Sequence, residues 1–317
     1  MNRAILVALL LPPLLLASDK KREGQEIIEQ AGLKSDIREL SSFTMKASVT
    51  VENHGKPSAG WYTLLWNGPH QWREEISLPG FDQIRVGGAG TVAVKRDADV
   101  VPWRVHQLEE TLGYGRQGLA LRPGEEAKHV RTRKVNDIEA RCAEIARKEY
   151  ATREICIDLS SGALIRDYPF VDKEFVPVGT KIFPHSLSFV QDGKIVAEAK
   201  VTEFTTTESL PPSNFEVPAG AVSKPSCLAP MIGRLTKKVT PQYPNSERRA
   251  HAEGTVTIYA VIGVDGSLHD PRIISGVSPG LNRASLDAVQ QWRYEPYMCQ
   301  NTPVEVETVV EVNFSLR

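Results

Sequence analysis

Four cysteines are the side chains of this 317-residue chain best able to form a covalent bridge or hold a metal. Cys142 sits in Ile138-Glu139-Ala140-Arg141-Cys142-Ala143-Glu144-Ile145, and Cys156 in Glu154-Ile155-Cys156-Ile157-Asp158. Both stretches read as strands joined by a charged turn, so opposed cysteines can bridge them. Cys227 stands just before the last quarter of the chain and Cys299 just before its final strand. Of the three connectivities open to four cysteines, this placement selects Cys142–Cys156 and Cys227–Cys299. Closing the first loop stabilises by about 3 kcal/mol in the chain-entropy model. Zinc is the competing chemistry, but no C-x-x-C occurs and no histidine lies beside a cysteine pair in sequence. No metal or cofactor is expected.

Catalytic patterns are weak. Gly113-Tyr114-Gly115-Arg116-Gln117-Gly118 has the form G-x-G-x-x-G, yet it follows a helix-like stretch, and Leu119-Ala120-Leu121-Arg122-Pro123 cannot extend as a long helix. It reads as a glycine loop. There is no G-x-S-x-G, P-loop or H-E-x-x-H. The histidines His54, His70, His106, His129, His185, His251 and His269 are scattered, and the pairs Glu109-Glu110 and Glu125-Glu126 read as solvated carboxylates. The chain is therefore expected not to be an enzyme.

Composition narrows the partners. Apolar residues make up 41% and charged residues 24%, as in ordinary globular protein. With 38 Lys+Arg against 39 Asp+Glu the net charge is −1, so no global field draws nucleic acid. Residues 1–17, MNRAILVALLLPPLLLA, pair a short basic start at Arg3 with an apolar run too short to span a bilayer, followed at once by Ser18-Asp19-Lys20-Lys21-Arg22. That is the pattern of a signal peptide, cleaved near Ala17, with an uncleaved anchor as the alternative. No cysteine follows the apolar run, so a lipid anchor is not expected. The destination is the periplasm or a similar exported space, which suits disulfides.

Two domains are expected from this length. Residues 24–40 read as an amphipathic helix whose apolar face is Ile27, Ile28, Ala31 and Leu33. Alternating runs then follow from Phe43 to Glu52, Gly60 to Trp66, Gln71 to Ile76, Gln83 to Val86, Thr91 to Arg96, Val130 to Arg133, Ala163 to Arg166, Lys181 to Gln191 and Lys194 to Phe204. Pro102 opens a helix-like stretch reaching Leu112. The fold class is α+β: residues 24–220 form a curved antiparallel sheet, or half-barrel, with helices. Residues 205–240 carry Pro211, Pro212, Pro218, Pro225 and Pro230, and a linker is placed at 221–240.

Residues 241–317 read as a small module with a three-stranded antiparallel sheet and one helix. Val256, Ile258, Ala260 and Ile262 point one way, and Thr255, Thr257, Tyr259 and Val261 the other. Asp265-Gly266 turns the chain, and Arg272-Ile273-Ile274 returns. Leu281, Ser285, Ala288 and Trp292 share a helical face that Pro296 ends. Val304, Val306, Thr308, Val310, Val312, Phe314 and Leu316 line one side of a long last strand.

These residues carry a resemblance. Pro241-Gln242-Tyr243-Pro244, Val264-Asp265-Gly266, Leu286-Asp287-Ala288-Val289 and Trp292-Arg293-Tyr294-Glu295-Pro296 resemble the TonB C-terminal domain family over residues 230–317. The resemblance implies a periplasmic domain that grips the plug segment of an outer-membrane receptor by adding it as a strand to a sheet edge. Carried over, the contacting residues are Gln242, Tyr243 and Pro244 with Val306, Thr308, Val310, Val312 and Phe314. Self-pairing of the last strand into a homodimer is the alternative use of that edge, and Tyr243 and Pro244 can equally be staples of the module. Gly60-Trp61-Tyr62-Thr63-Leu64-Leu65-Trp66 with Trp72, and the stretch from Leu210 to Gly220, are similar to LolA-like lipoprotein carriers. That implies a groove for a lipid or lipoprotein; the alternative is that Trp61, Trp66, Trp72 and Trp103 only fill a core. The linker is shorter than the Pro-rich rod of TonB proteins, and no membrane helix is expected. The leading expectation is a TonB-type adaptor tied to transport across the outer membrane, with a lipid carrier and an envelope scaffold as rivals.

Overall fold

The computed structural model describes residues 13–53, 56–88, 90–113, 121, 124–147, 153–166, 169–191, 193–225, 234–299 and 301–316. It divides into a larger compact unit, residues 41–112 with 195–317, and a smaller one, residues 1–40 with 113–194.

The larger unit is built on a meander. Ser42–Asn53, Lys56–Trp66, Trp72–Leu78, Phe81–Gly87 and Thr91–Arg96 pair antiparallel in order. Lys194–Thr207 pairs with Ser42–Asn53 on its other side, and Val222–Pro225 pairs with residues 91–94. Period-2 alternation puts Phe43, Trp66, Trp72 and Gly87 in one cross-strand row. With Met45, Ala47, Val49, Tyr62, Leu64 and Ile76 they form a buried face. Helix Trp103–Leu112 packs on the Ser42–Asn53 strand and buries Val105, Leu108 and Leu112. Gly87 is bare for a reason: a Cβ there would stand 2.1 Å from the Trp72 indole, which lies over it.

The same unit ends in the C-terminal module. Its sheet has the order Leu268–Ser275, Gly254–Ile262, Val306–Phe314. Val256, Ile258, Ala260 and Ile262 are fully buried with Leu281, Val289 and Trp292. The helix spans Pro279–Val289; Ser278 caps it through the Leu281 amide, and proline occupies its first position.

In the smaller unit, helix Pro13–Ser35 packs on Glu125–Val135, Ile138–Arg147 and Arg153–Asp158 of a four-stranded antiparallel sheet that ends in Leu164–Ile165. Gly24 lets the helix approach closely, since a Cβ would stand 2.5 Å from that of Ala127. The buried Lys181 ammonium takes the Leu33 carbonyl at 2.9 Å and the Glu39 carboxylate, closing the helix C-terminus with a cation. Cys142 and Cys156 face each other in register and are bonded.

Several expectations are corrected. The first helix runs from Pro13 to Ser35 and not over 24–40, because Asp36 caps a 3-10 turn at Ile37–Glu39. Leu33 is 65% exposed, since the 3.6-residue period turns it away from Ile27, Ile28 and Ala31. Phe170–Val178 is a strand paired with Lys181–Gln191 in one unbroken register, and its sequence hides it: F-V-D-K-E-F-V-P-V does not alternate apolar with polar, and Glu174 adopts φ 59° within it. Part of the expected linker 221–240 is strand, Val222–Pro225 and Leu235–Lys237, the latter paired with Arg293–Tyr294. The module's helix stops at Val289, well before Pro296, and Trp292 lies beyond it. Val304 belongs to a separate short strand, Thr302–Val304, paired with Tyr297–Cys299, so the last strand begins at Val306. Trp61 is 47% exposed and fills no core, whereas Trp66 and Trp72 are buried. Residues 1–12 of the expected signal peptide, Cys227, His54 and Tyr114 to Ala120 of the glycine stretch lie outside the described residues. Among the described residues no helix is long and apolar enough to cross a membrane.

Candidate docking edge

The module's three-stranded sheet has two edges, and they differ. On the Leu268–Ser275 side, Pro271 lacks an N–H, Asp270 adopts φ 47° and the pairing shifts register twice. Proline and bulges are the usual means of blunting an edge against further pairing. The Val306–Phe314 strand, by contrast, pairs nine residues with Gly254–Ile262 without a shift. Its sequence, V-E-T-V-V-E-V-N-F, holds no proline, glycine or lysine. A regular edge of that kind keeps an unbroken row of backbone donors and acceptors.

Of the five positions taken from this strand, Val310, Val312 and Phe314 are buried, while Val306 and Thr308 are half-buried. They share the side of the strand that meets the core, so a partner strand would meet their main chain. The other side carries Glu307, Val309, Glu311 and Asn313, of which Glu311 and Asn313 are exposed. Period-2 alternation in the sequence already places Glu307, Glu311 and Asn313 on this side, but the contacts carried over by resemblance all lie on the core side.

Gln242 is exposed. Tyr243 is committed inside the module: its hydroxyl donates to the Ala252 carbonyl at 2.5 Å, and its ring meets Phe314 edge-on at 5.3 Å. Burial, then Glu253, pushes its phenol above the ordinary value. Pro244 precedes the short helix Asn245–Arg249 as its cap position. Trp292 donates from its indole to the Val239 carbonyl at 2.8 Å, tying the segment before the module to its core. Gly266 explains why the V-D-G and W-R-Y-E-P motifs occur together. It turns at φ 78°, accepts from the Tyr294 amide at 2.8 Å, and leaves no room for a Cβ, which would lie 1.9 Å from the Tyr294 carbonyl oxygen.

Among the described residues, other clusters hold no comparable site. Ser267 Oγ lies 2.9 Å from His269 Nε2, and Asp265 faces the same nitrogen at 3.9 Å, so the three form no relay through opposite sides of the ring. The Asp265 carboxyl is held below its usual value by the Ser267 hydroxyl and amide. Cys142, Glu154 and Cys156 come within 4.8 Å, but the sulfurs are bonded to each other and Glu154 takes Arg131 at 2.9 Å and Arg133 at 2.6 Å. Cys299 is also in a disulfide. On the buried face of the larger sheet, Arg85 meets Glu74 at 2.5 Å and Glu109 at 3.6 Å, and Gln83 donates to Glu109 at 2.8 Å. Burial opposes the Arg85 charge, but the two carboxylates outweigh it and raise its pKa.

Residues 239–316 match the family model described as Gram-negative bacterial TonB protein C-terminal. Protein TonB of Vibrio cholerae serotype O1 is 22% identical over 111 residues, covering 35% of this chain and 46% of that protein. The chain thus spans about half the length of the curated relative it matches. Among solved structures, the LolA superfamily protein NE2245 from Nitrosomonas europaea overlaps 61% of this chain and 97% of its own, at a TM-score of 0.40 and 12% identity. A lipoprotein-sorting protein domain from Vibrio parahaemolyticus overlaps 63% and 97%, at 0.38 and 10%. The MucA/MucB complex of Pseudomonas aeruginosa overlaps 78% and 82%, at 0.28 and 11%.

Proposed function

We propose that this chain is an exported, periplasmic docking protein whose last module receives an extended peptide as a fourth strand along Val306–Phe314. The regularity of that edge carries the reading: nine in-register pairs on its inner side and no blunting residue, opposite an edge blunted by Pro271 and two register shifts. The match of residues 239–316 to the TonB C-terminal family supports a partner of the same class, the plug segment of an outer-membrane receptor. Main-chain bonds would supply affinity, and Glu311 and Asn313 would meet alternate side chains of the incoming strand. The test is binding of receptor plug peptides to the full oxidised chain and to Val310→Pro, which removes a backbone donor and distorts the strand. Glu311→Lys, at an exposed position, serves as a second variant that leaves the core intact. Binding that survives both substitutions in folded protein would place the peptide elsewhere.

One observation favours a second reading, in which the first half is a half-barrel carrier for an amphiphile. The indole nitrogens of Trp66 and Trp72, paired across strands on the buried face, have no hydrogen-bond partner among the described residues. Buried donors of that kind suit a ligand bearing acceptor oxygens beside an apolar chain. Mass spectrometry of organic extracts from the purified protein tests it, and an extract free of lipid would remove it.

A further inference from the structure

Glu307 stands on the candidate edge strand, yet its partners come from the larger sheet outside the module. Both terminal nitrogens of Arg96 reach its carboxylate, at 3.1 and 3.2 Å, and Lys224 adds a third contact at 2.9 Å. Arg96 lies on the Thr91–Arg96 strand and Lys224 on Val222–Pro225, the two strands that end the larger sheet on that side. Nearby, Arg272 of the module faces Asp99 at 3.7 Å. Arg96 is only 13% exposed and Glu307 28%, so the pair is largely shielded from solvent.

On the outer face of the module's sheet, exposure rises along the edge strand from Glu307 to Asn313, and the neighbouring strand is most covered at its middle. Tyr259 and Thr257 are buried, and Val261, Glu307 and Val309 half-buried, while Thr255, Glu311 and Asn313 are exposed. The covered end is the end that Arg96, Lys224 and Asp99 meet. Burial and then the adjoining Glu307 carboxylate push the Tyr259 phenol up to about 12. Burial alone would raise Glu307, but the hydrogen bonds from Arg96 and Lys224 hold it below the usual carboxylate value.

We propose that Glu307 is a release catch. Its carboxylate, held between Arg96 and Lys224, fixes the module on the larger sheet and covers residues 306–309 of the edge strand. Only residues 310–314 are then open to a partner. Releasing the carboxylate frees the module and opens the whole edge. The gating part rests on the docking reading given above; the fixing of the module does not.

The test uses the full chain, labelled with nitrogen-15, as wild type, Glu307→Gln, Glu311→Gln and the charge swap Arg96→Glu with Glu307→Arg. Amide relaxation reports whether residues 241–316 tumble with the rest of the larger unit. Wild type, Glu311→Gln and the swap are expected to tumble as one body, and Glu307→Gln to give the module a shorter correlation time of its own. A module that tumbles freely in wild type, or stays fixed in Glu307→Gln, would overturn the catch. A plug-peptide titration of the same proteins reads the gating, with roughly tenfold tighter binding expected for Glu307→Gln, equivalent to about 1.4 kcal/mol. Equal affinity with a freed module would refute gating. If a freed module and wild type both fail to bind peptide, the docking reading falls while the catch stands.

Discussion

Replacing Gly266 by alanine tests how the module's turn is built. Two separate penalties apply. The residue sits at φ 78°, where an L side chain costs about 1–2 kcal/mol. A Cβ would also lie 1.9 Å from the Tyr294 carbonyl oxygen and 2.9 Å from its carbon, which are backbone atoms and cannot swing aside. Overpacking of this kind costs about 1–3 kcal/mol. The sum is about 2–5 kcal/mol, because the strand must shift and the bond from the Tyr294 amide to the Gly266 carbonyl weakens. Gly220→Ala is the matched control: the same unit, φ 80°, and nothing within 4 Å of the added Cβ, so only the conformational penalty applies. Amide hydrogen exchange in Gly254–Ile262 and around Gly220 gives the opening free energy of each region separately, avoiding a single unfolding curve for a two-unit chain. If Gly266→Ala costs no more than Gly220→Ala, the close seat of the turn against Tyr294 is refuted.

Three further outcomes are expected. Trp292→Phe keeps most of the ring but loses the indole bond to Val239 and leaves that carbonyl without its partner, costing about 1–3 kcal/mol in exchange measured at Gly254–Ile262. Arg166→Ala removes both 2.7 Å contacts from fully buried Asp172 and should cost about 3–5 kcal/mol in amide exchange measured at Lys181–Gln191, with Asp172→Asn in the same background recovering part of it. Lowering the pH acts on Glu307: a carboxyl whose folded pKa is depressed contributes stability above its unfolded value near 4.3 and loses it as pH falls through the folded pKa. Thermal melts of wild type should therefore lose stability below about pH 4 more steeply than those of Glu307→Gln.

Much of the module was legible because it is local. Strict alternation in Gly254–Ile262 and in Val306–Phe314 fixed both strands and their core faces, and Asp265-Gly266 fixed the turn between the first two strands. Cys142 and Cys156 were legible as a pair because only residues 148–152 separate their strands in sequence. The rest depended on non-local geometry. Phe170–Val178 escaped because F-V-D-K-E-F-V-P-V mixes adjacent apolar residues with a proline and does not alternate, although the strand pairs in one register. Resemblance picked core-facing positions of the last strand, while the outward set from Glu307 to Asn313 follows from the pleat alone. Arg96 and Glu307 are 211 residues apart, and no periodicity in either segment signals that they meet. Trp61 and Trp66, five residues apart on one strand, face opposite sides of the sheet, and only the register shows which is buried.

The docking edge is tested most directly by backbone amide NMR of the deuterated, oxidised full chain during titration with receptor plug peptides. A contiguous set of shifts along Val306–Phe314 is expected, strongest from Val310 to Phe314, with cross-strand contacts to the peptide backbone. Shifts confined to Leu268–Ser275, or no shifts at millimolar peptide, would contradict it.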